Sequence, residues 1–375
     1  MLSNWFSTYE RRESLFVVLP SVTKPRIILP YISKKIFINA WNVQNIASPK
    51  NKIIRKIVLS LYPLLKYNKS IIIYPTKLLD QFVSSLKYNL KDESIKYYSI
   101  YIGTENSSNQ KFTIQLMNDN GIPIGYVKVA FNKKALIFIK NEYKALKKMN
   151  NLNFEYIIYP KKYLLFQIEN DFCLYQEAIF NDTEPHDYIV TELIINSLIS
   201  IAIKTQNVKD VLKYYNKKKK EYYELPISYL MKKNIINSLN KIKKNIYPTI
   251  YSHGDFVPYN LRKRKDKLYI VDWEFFSDRG YPLYDLFTFI FQGGYYVYHK
   301  KPKYIIDKLF NDNIYKKIYL DYLKHLSISK DYIKDYFLIY LSEAMLREIY
   351  LGKSINNTNI YYIALKYFLS NYFKN

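Results

Sequence analysis

Short apolar runs closed by proline, LFVVLP at 15–20 and RIILP at 26–30, predict strands near the start of the chain. Ile53, Ile54, Ile57, Val58 and Leu61 recur at helical spacing and predict a helix within 51–65. From about residue 96 the pattern becomes strand-like, with strands predicted at 97–103, 111–117, 124–131, 156–160, 163–169 and 172–179. One helix interrupts them at 134–149, where Leu136, Ile139, Tyr143 and Leu146 share a face. Beyond Asp182 the period is helical over 187–204, 207–224 and 228–245, the last with a stripe of Ile235, Ile236, Leu239, Ile242 and Ile246. An irregular stretch at 249–285 precedes helices expected at 303–325, 329–351 and 356–373, with Gly352 as a C-cap. The pattern predicts an α+β protein in three parts: a mixed α/β extension (1–95), a small antiparallel β lobe with one helix (96–180) and a larger, mostly helical lobe (181–375). The extension shows no chemistry of its own, and its Trp5 and Trp41 are expected as core or interface anchors.

Hydrophobic residues make up 49% of the 375 and aromatics 18%, far too much apolar surface for a disordered chain. A single cysteine, Cys173, cannot close an internal disulfide, which fits a reducing compartment. The first fifteen residues hold Arg11, Arg12 and Glu13 where a signal peptide needs an apolar core. The stretch 193–203 is broken by Asn196, Ser197 and Ser200 and is too short to cross a bilayer. A cytoplasmic protein, at most peripheral at the inner membrane face, is therefore expected.

The 57 Lys+Arg against 32 Asp+Glu give a net charge of +25, which ordinarily suggests nucleic acid, anionic lipid or polyphosphate. The excess is lysine, and it arrives with 42 tyrosines, only 8 glycines and abundant Asn and Ile, as an AT-rich coding sequence would produce without selection for binding. The lysines are spread along the whole chain, and the run at 217–220 reads as a solvated helix face. A nucleic-acid partner is not expected.

The informative segment is 249–286. His253, Gly254 and Asp255 follow an apolar strand, Asn260 lies five residues after Asp255, and a second strand, LYIVD at 268–272, ends in Asp272. Phosphoryl transfer needs one carboxylate to orient the attacking hydroxyl and accept its proton, and oxygen ligands for Mg²⁺. Asp255 suits the first role, Asn260 and Asp272 the second. His253 reads as a packed residue that fixes the loop, whereas Glu274 is open between a contact at or around the metal and an exposed carboxylate.

HGDFVPYN at 253–260 followed by IVDWEFFSDRGYPLYDL at 270–286 resembles the signature of the aminoglycoside phosphotransferase and choline kinase family, the small-molecule branch of the protein-kinase-like fold. The resemblance implies a two-lobed fold with Asp255 as catalytic base, Asn260 and Asp272 as Mg²⁺ ligands and Asp285 as a prop of the catalytic loop. It also asks for a lysine on the third strand of the β lobe and a glutamate on the next helix, which fall on Lys128 and Glu142, with Lys128 reaching the α- and β-phosphates. The nucleotide base, of ATP or GTP, would meet backbone groups near Gln176, Glu177 and Ala178. One departure stands out: the loop expected over the phosphates, 103–111, has only Gly103, so Ser107, Ser108 and neighbouring amides would have to serve.

Asp272 and Asp285 are 13 positions apart, which leaves no room for the peptide-docking segment of a protein kinase. The acceptor is therefore expected to be a hydroxyl of a small molecule, sugar or glycan. The basic, tyrosine-rich helices beyond residue 300 favour a neutral or anionic carbohydrate over a polycationic antibiotic. The extension with its LP…KPRIILP arrangement is also similar to bacterial phosphotransferases found with surface-polysaccharide synthesis, which implies a sugar or lipid-linked acceptor near an anionic membrane. An aminoglycoside or choline-type kinase, a nucleotide-binding pseudokinase and a nucleic-acid binder stay open as other readings.

Overall fold

The structure, a computed structural model, describes residues 2–8, 15–41, 49–103, 111–179, 184–185 and 189–373. The loop expected over the phosphates lies outside these residues, Gly103 and Lys111 excepted. The chain forms two compact units, Met1–Asn150 with Tyr159–Glu184, and Asn151–Ile158 with Pro185–Asn375.

The first unit is built on one nine-stranded sheet in the order Phe6–Ser7, Ile72–Pro75, Phe16–Ser21, Lys24–Pro30, Tyr97–Ile102, Lys111–Met117, Pro123–Ala130, Asp171–Glu177 and Tyr163–Ile168. All its pairings are antiparallel. The sheet runs through the boundary expected after residue 95, because Ile27 and Ile28 pair with Tyr101 and Ile100. The extension and the β lobe thus share one sheet. Strand alternation serves two cores: Phe16, Val18, Ile28 and Ile100 enter one cluster, and Val17, Ile27, Leu29 and Tyr101 the other. The helix Lys77–Leu90 covers the first through Leu79, Phe82 and Leu86. The helix Lys34–Trp41 covers the second, and its last carbonyls accept from Gln115 Nε2 (to Asn39, 3.2 Å) and from Ser99 Oγ and Tyr101 OH (both to Ala40). These strand side chains occupy C-terminal carbonyls that the short helix cannot satisfy itself. Trp5 and Trp41 are buried, Trp5 with its ring 4.7 Å from that of Phe82.

The helix Lys133–Asn150 starts at Asn132, whose side chain accepts from the Ala135 amide at 2.8 Å. It buries Ala135, Phe138, Ile139, Glu142, Ala145, Leu146 and Met149, so the packed face includes a carboxylate.

The second unit is mostly helical, with helices Glu192–Thr205, Val211–Tyr223, Tyr229–Lys244, Tyr284–Gln292, Pro302–Asn311, Asn313–His325, Ile333–Tyr350 and Ile360–Asn371. The helix expected over 303–325 is two, because Asp312 adopts an extended backbone and its side chain caps the second by accepting from the Ile314 amide. Gly352, at φ 86°, follows the helix Ile333–Tyr350 and donates to the Ile349 carbonyl. The strand expected at 156–160 shortens to Ile157–Ile158 and pairs in parallel with Lys267–Ile270 in this unit, outside the β lobe. Two further antiparallel pairs, Leu261–Arg264 with Lys267–Ile270 and Ile250–Ser252 with Ser277–Gly280, frame the segment that carries the motif. No helix among the described residues is long and apolar enough to cross a membrane.

Candidate active site

In the first unit, Lys128 lies in the strand Pro123–Ala130, opposite Thr113 on one side and Leu174 on the other. Its Nζ lies 2.6 and 2.7 Å from the two oxygens of Glu142, a residue with no exposed surface. Glu142 Oε1 also accepts from Gln176 Nε2 at 2.9 Å, so the carboxylate is fixed from two sides. An ammonium held this way is oriented by a buried anion and remains 11% exposed at its side chain, the condition for meeting a phosphate. The amides expected to meet a nucleotide base are used inside the sheet: Glu177 N–H donates to the Lys162 carbonyl and Ala178 N–H to that of Ile124. Only their carbonyls remain for such a contact, and Gln176 acts here through its side chain.

In the second unit the motif forms a braced loop. Asp285, at the start of the helix Tyr284–Gln292, accepts from the His253 amide (2.7 Å), the Gly254 amide (3.0 Å) and Ser252 Oγ (3.0 Å). Burial pushes the Asp285 carboxyl above the ordinary aspartate value, and His253 and the three donors oppose it. Gly254 has φ 81°, and a Cβ there would stand 2.3 Å from the Phe275 carbonyl oxygen, so no other residue fits this turn. The fully buried His253 accepts from the Asp255 amide through Nδ1 (3.2 Å), which leaves Nε2 to carry the proton and donate to the Val271 carbonyl (2.9 Å). Its ring packs 4.7 Å from that of Trp273, whose Nε1 donates to the Ile270 carbonyl.

This bracing presents Asp255. Asn260 Nδ2 donates to its backbone oxygen (3.0 Å) and to Oδ2 (3.2 Å), while Arg347 Nη1 lies 3.2 Å from Oδ1. Arg347 also donates to the Gly254 carbonyl and sits over the Phe275 ring at 5.2 Å. Burial disfavours the Arg347 cation, but Tyr284, Tyr361 and Asp255 more than offset that and hold it charged. Each oxygen of Asp255 thus has a donor that fixes its direction.

With the Asn260 amide nitrogen committed to Asp255, its oxygen is the end available to a cation. Asp272 lies two residues beyond the strand Lys267–Ile270 in the left-handed region, φ 65°, an uncommon state for a non-glycine residue that recurs at ligand sites. Burial is the main cause that raises the Tyr259 hydroxyl above its ordinary value, and the Asp255 and Asp272 carboxylates add to it while Arg347 opposes. Among the described residues no cluster of three or more His, Cys, Asp or Glu would hold a metal alone. One aspartate plus one asparagine oxygen fits Mg²⁺, which binds through one or two carboxylates and completes its shell with phosphates and water. Glu274 is buried and partnered rather than exposed.

Sequence reasoning missed Arg347, which lies 92 positions from Asp255. One signal was present: the chain has only 8 arginines among 57 basic residues, so an arginine within an apolar helix departs from the lysine drift.

No protein-family model matches the chain, and no curated protein does. The solved structures it is similar to are choline kinases and aminoglycoside phosphotransferases, the family that its motif resembles. They include the choline kinase LicA from Streptococcus pneumoniae (17% identity, 78% of this chain and 100% of that one, TM-score 0.44). A choline/ethanolamine kinase family protein from Mesorhizobium loti has 10% identity over 78% of this chain and 95% of its own, with a TM-score of 0.45. The spectinomycin phosphotransferase APH(9)-Ia, in complex with ADP and spectinomycin, has 14% identity over 78% and 94%, with a TM-score of 0.41. With scores below 0.5 the likeness is loose, and the chain's own side chains carry the functional reading.

Proposed function

We propose that the chain is a phosphotransferase that moves the γ-phosphoryl group of a Mg²⁺-nucleotide, ATP or GTP, to a hydroxyl of a small molecule, sugar or glycan. The observation that supports it most is the Asp255 carboxylate, aimed by Asn260 and Arg347 on a loop that Asp285 pins from beneath. Asp255 accepts the proton of the attacking hydroxyl. Asn260 and Asp272 hold Mg²⁺, which when bound neutralises charge on the β- and γ-phosphates. Lys128, oriented by Glu142, supplies a cation to the α- and β-phosphates. The finer reading, surface-polysaccharide synthesis at the inner membrane face, draws on the likeness of the extension and on the charge of +25.

The test is the melting temperature with ATP or GTP, each with Mg²⁺ and again with excess chelator. A ligand at a hundred times its Kd stabilises the native state by about 2.7 kcal/mol. A metal-dependent rise is expected in the wild type and should be absent in Asp272→Ala. No rise with either nucleotide would overturn the reading.

A further inference from the structure

The second unit has an open cavity of about 860 Å³ lined by the helix Val211–Tyr223, the segment 275–281 and the helix Ile333–Tyr350. Asp255 is not itself in the wall, but Gly254 and Arg347 are, and Arg347 Nη1 lies 3.2 Å from the carboxylate proposed as the base, so the cavity adjoins it through these two residues. Assigning an acceptor to this cavity rests on that role of Asp255.

A cationic acceptor would need carboxylates or aromatic faces open to it. Here the carboxylates, and part of the aromatic wall, are met from within the chain. Lys218 Nζ lies 2.7 Å from Glu343 Oε2 and 2.9 Å from Glu221 Oε2, and the other oxygen of Glu343 accepts from Tyr222 OH at 2.6 Å. Asp210 has Arg279 at 3.7 Å, and Asp278 is engaged as well. Two of the lining rings are taken in the same way, beside Tyr281, Tyr284 and Tyr350: Lys218 sits 5.9 Å from the Tyr214 ring centre and Arg347 5.2 Å from that of Phe275. Burial disfavours the Lys218 ammonium, but Glu343, Tyr214 and Glu221 more than offset this and keep it charged. An ammonium ligand could reach Glu343 only by displacing Lys218, whose side chain is 15% exposed, and would cost that cation the nearer of its two carboxylate partners.

We propose that Lys218 is a built-in cation standing where an ammonium-bearing acceptor would bind, so that the cavity selects a polyhydroxy acceptor without positive charge. Lys218 is then a specificity residue, and Glu343 the latent anionic site beneath it.

Three probes of one skeleton test this in the full-length protein: glucose, glucuronate and protonated glucosamine, with binding read by calorimetry without nucleotide. In the wild type, glucosamine should bind no better than glucose. Lys218→Met uncovers Glu343 and should shift the preference toward glucosamine by at least about tenfold, the factor given by 1.4 kcal/mol. The double variant Lys218→Met/Glu343→Gln should lose that gain, which a merely structural role of Lys218 would not produce. Should Lys218→Met fail to fold, Glu343→Gln leaves Lys218 with Glu221 as its remaining carboxylate and should shift the preference toward glucuronate instead. Tight glucosamine binding by the wild type, or unchanged preferences in both single variants, would overturn the proposal. Because these titrations need no nucleotide, failure of the phosphotransferase reading would show separately, as absence of the nucleotide-dependent rise in melting temperature.

Discussion

At the scale of single residues, the loop 252–260 sets two carboxylates in different surroundings. Asp285 has no open side: three donors reach it and burial raises its pKa, so it serves as an anchor. Asp255, 30 positions earlier, has directional donors and a side chain still 19% exposed. One carboxylate holds, and the other is the one to which the proposed function gives the chemistry. Asp255→Asn keeps the size of the side chain and a donor–acceptor contact with Arg347 while removing the basic oxygen. Its kcat is expected to fall about 10²- to 10⁴-fold, the range that general-base catalysis supplies. The nucleotide-dependent rise in melting temperature should persist, because that binding uses other groups. A variant that loses both would show Asp255 to be structural.

At the scale of elements, legibility followed the reach of the interactions. Lys128 and Glu142 could be paired on paper because the family resemblance asks for a lysine on that strand and a glutamate on the helix after it, and the two lie only 14 positions apart. The Asp312 break was missed because hydrophobic spacing continues across it while the cap is a local polar event. The strand at 157–158 was legible as a strand but not as a partner of 267–270, since apolar runs do not encode their neighbours. The same limit hid the merging of the extension with the β lobe. Strand Lys24–Pro30 covers the edge of Tyr97–Ile102, and Trp5, Phe16 and Ile28 fill the core that Ile114 and Val127 also line. Deleting residues 1–95 would expose a long apolar edge and open that core. The truncated chain is expected to be insoluble or to lack a cooperative melting transition by circular dichroism; a soluble product that melts as the full chain does would show the extension to be dispensable.

The helix Ile333–Tyr350 carries a second consequence. Asp335 is 4% exposed, and its nearest cation, Lys241, is 3.7 Å away and largely in solvent. Burial pushes the Asp335 carboxyl above its ordinary value, and Ser238 and Lys241 only partly oppose it. A raised pKa in the folded state means that the favourable, protonated form is complete below the ordinary aspartate range and is lost as pH rises through the raised value. Asp335→Asn removes that loss. At neutral pH its melting temperature should exceed the wild type's by about 2–4 °C, the shift given by ~1 kcal/mol in a unit of this size. The gain should shrink to nothing in acid. A gain constant with pH would point to hydrogen bonding instead of charge.

At the scale of the molecule, the composition that looked like mere drift had to be accommodated by the fold. A chain with 42 tyrosines cannot keep them all at the surface, and each buried phenol needs a partner for its hydroxyl. Tyr215 donates to the Tyr247 carbonyl and Tyr222 to Glu343, so part of the tyrosine excess has become internal polar structure. The consequence is a common alkaline limit on stability. Burial raises Tyr222, Tyr281, Tyr336 and Tyr340 well above the ordinary value, whereas Tyr88 and Tyr229 stand mostly in solvent. With folded pKa values raised, the stability these phenols contribute is complete below the unfolded value near 10 and is lost as pH climbs beyond it. An absorbance titration of phenolate should therefore have two parts: a gradual rise while the far-ultraviolet dichroism is unchanged, then an abrupt one that coincides with its loss. Because several buried phenols would ionise together on unfolding, the second part should be steeper than a single-site curve. A smooth single-phase titration with the fold intact would mean that these hydroxyls reach solvent, and would remove tyrosine burial as the reason that the chain tolerates its composition.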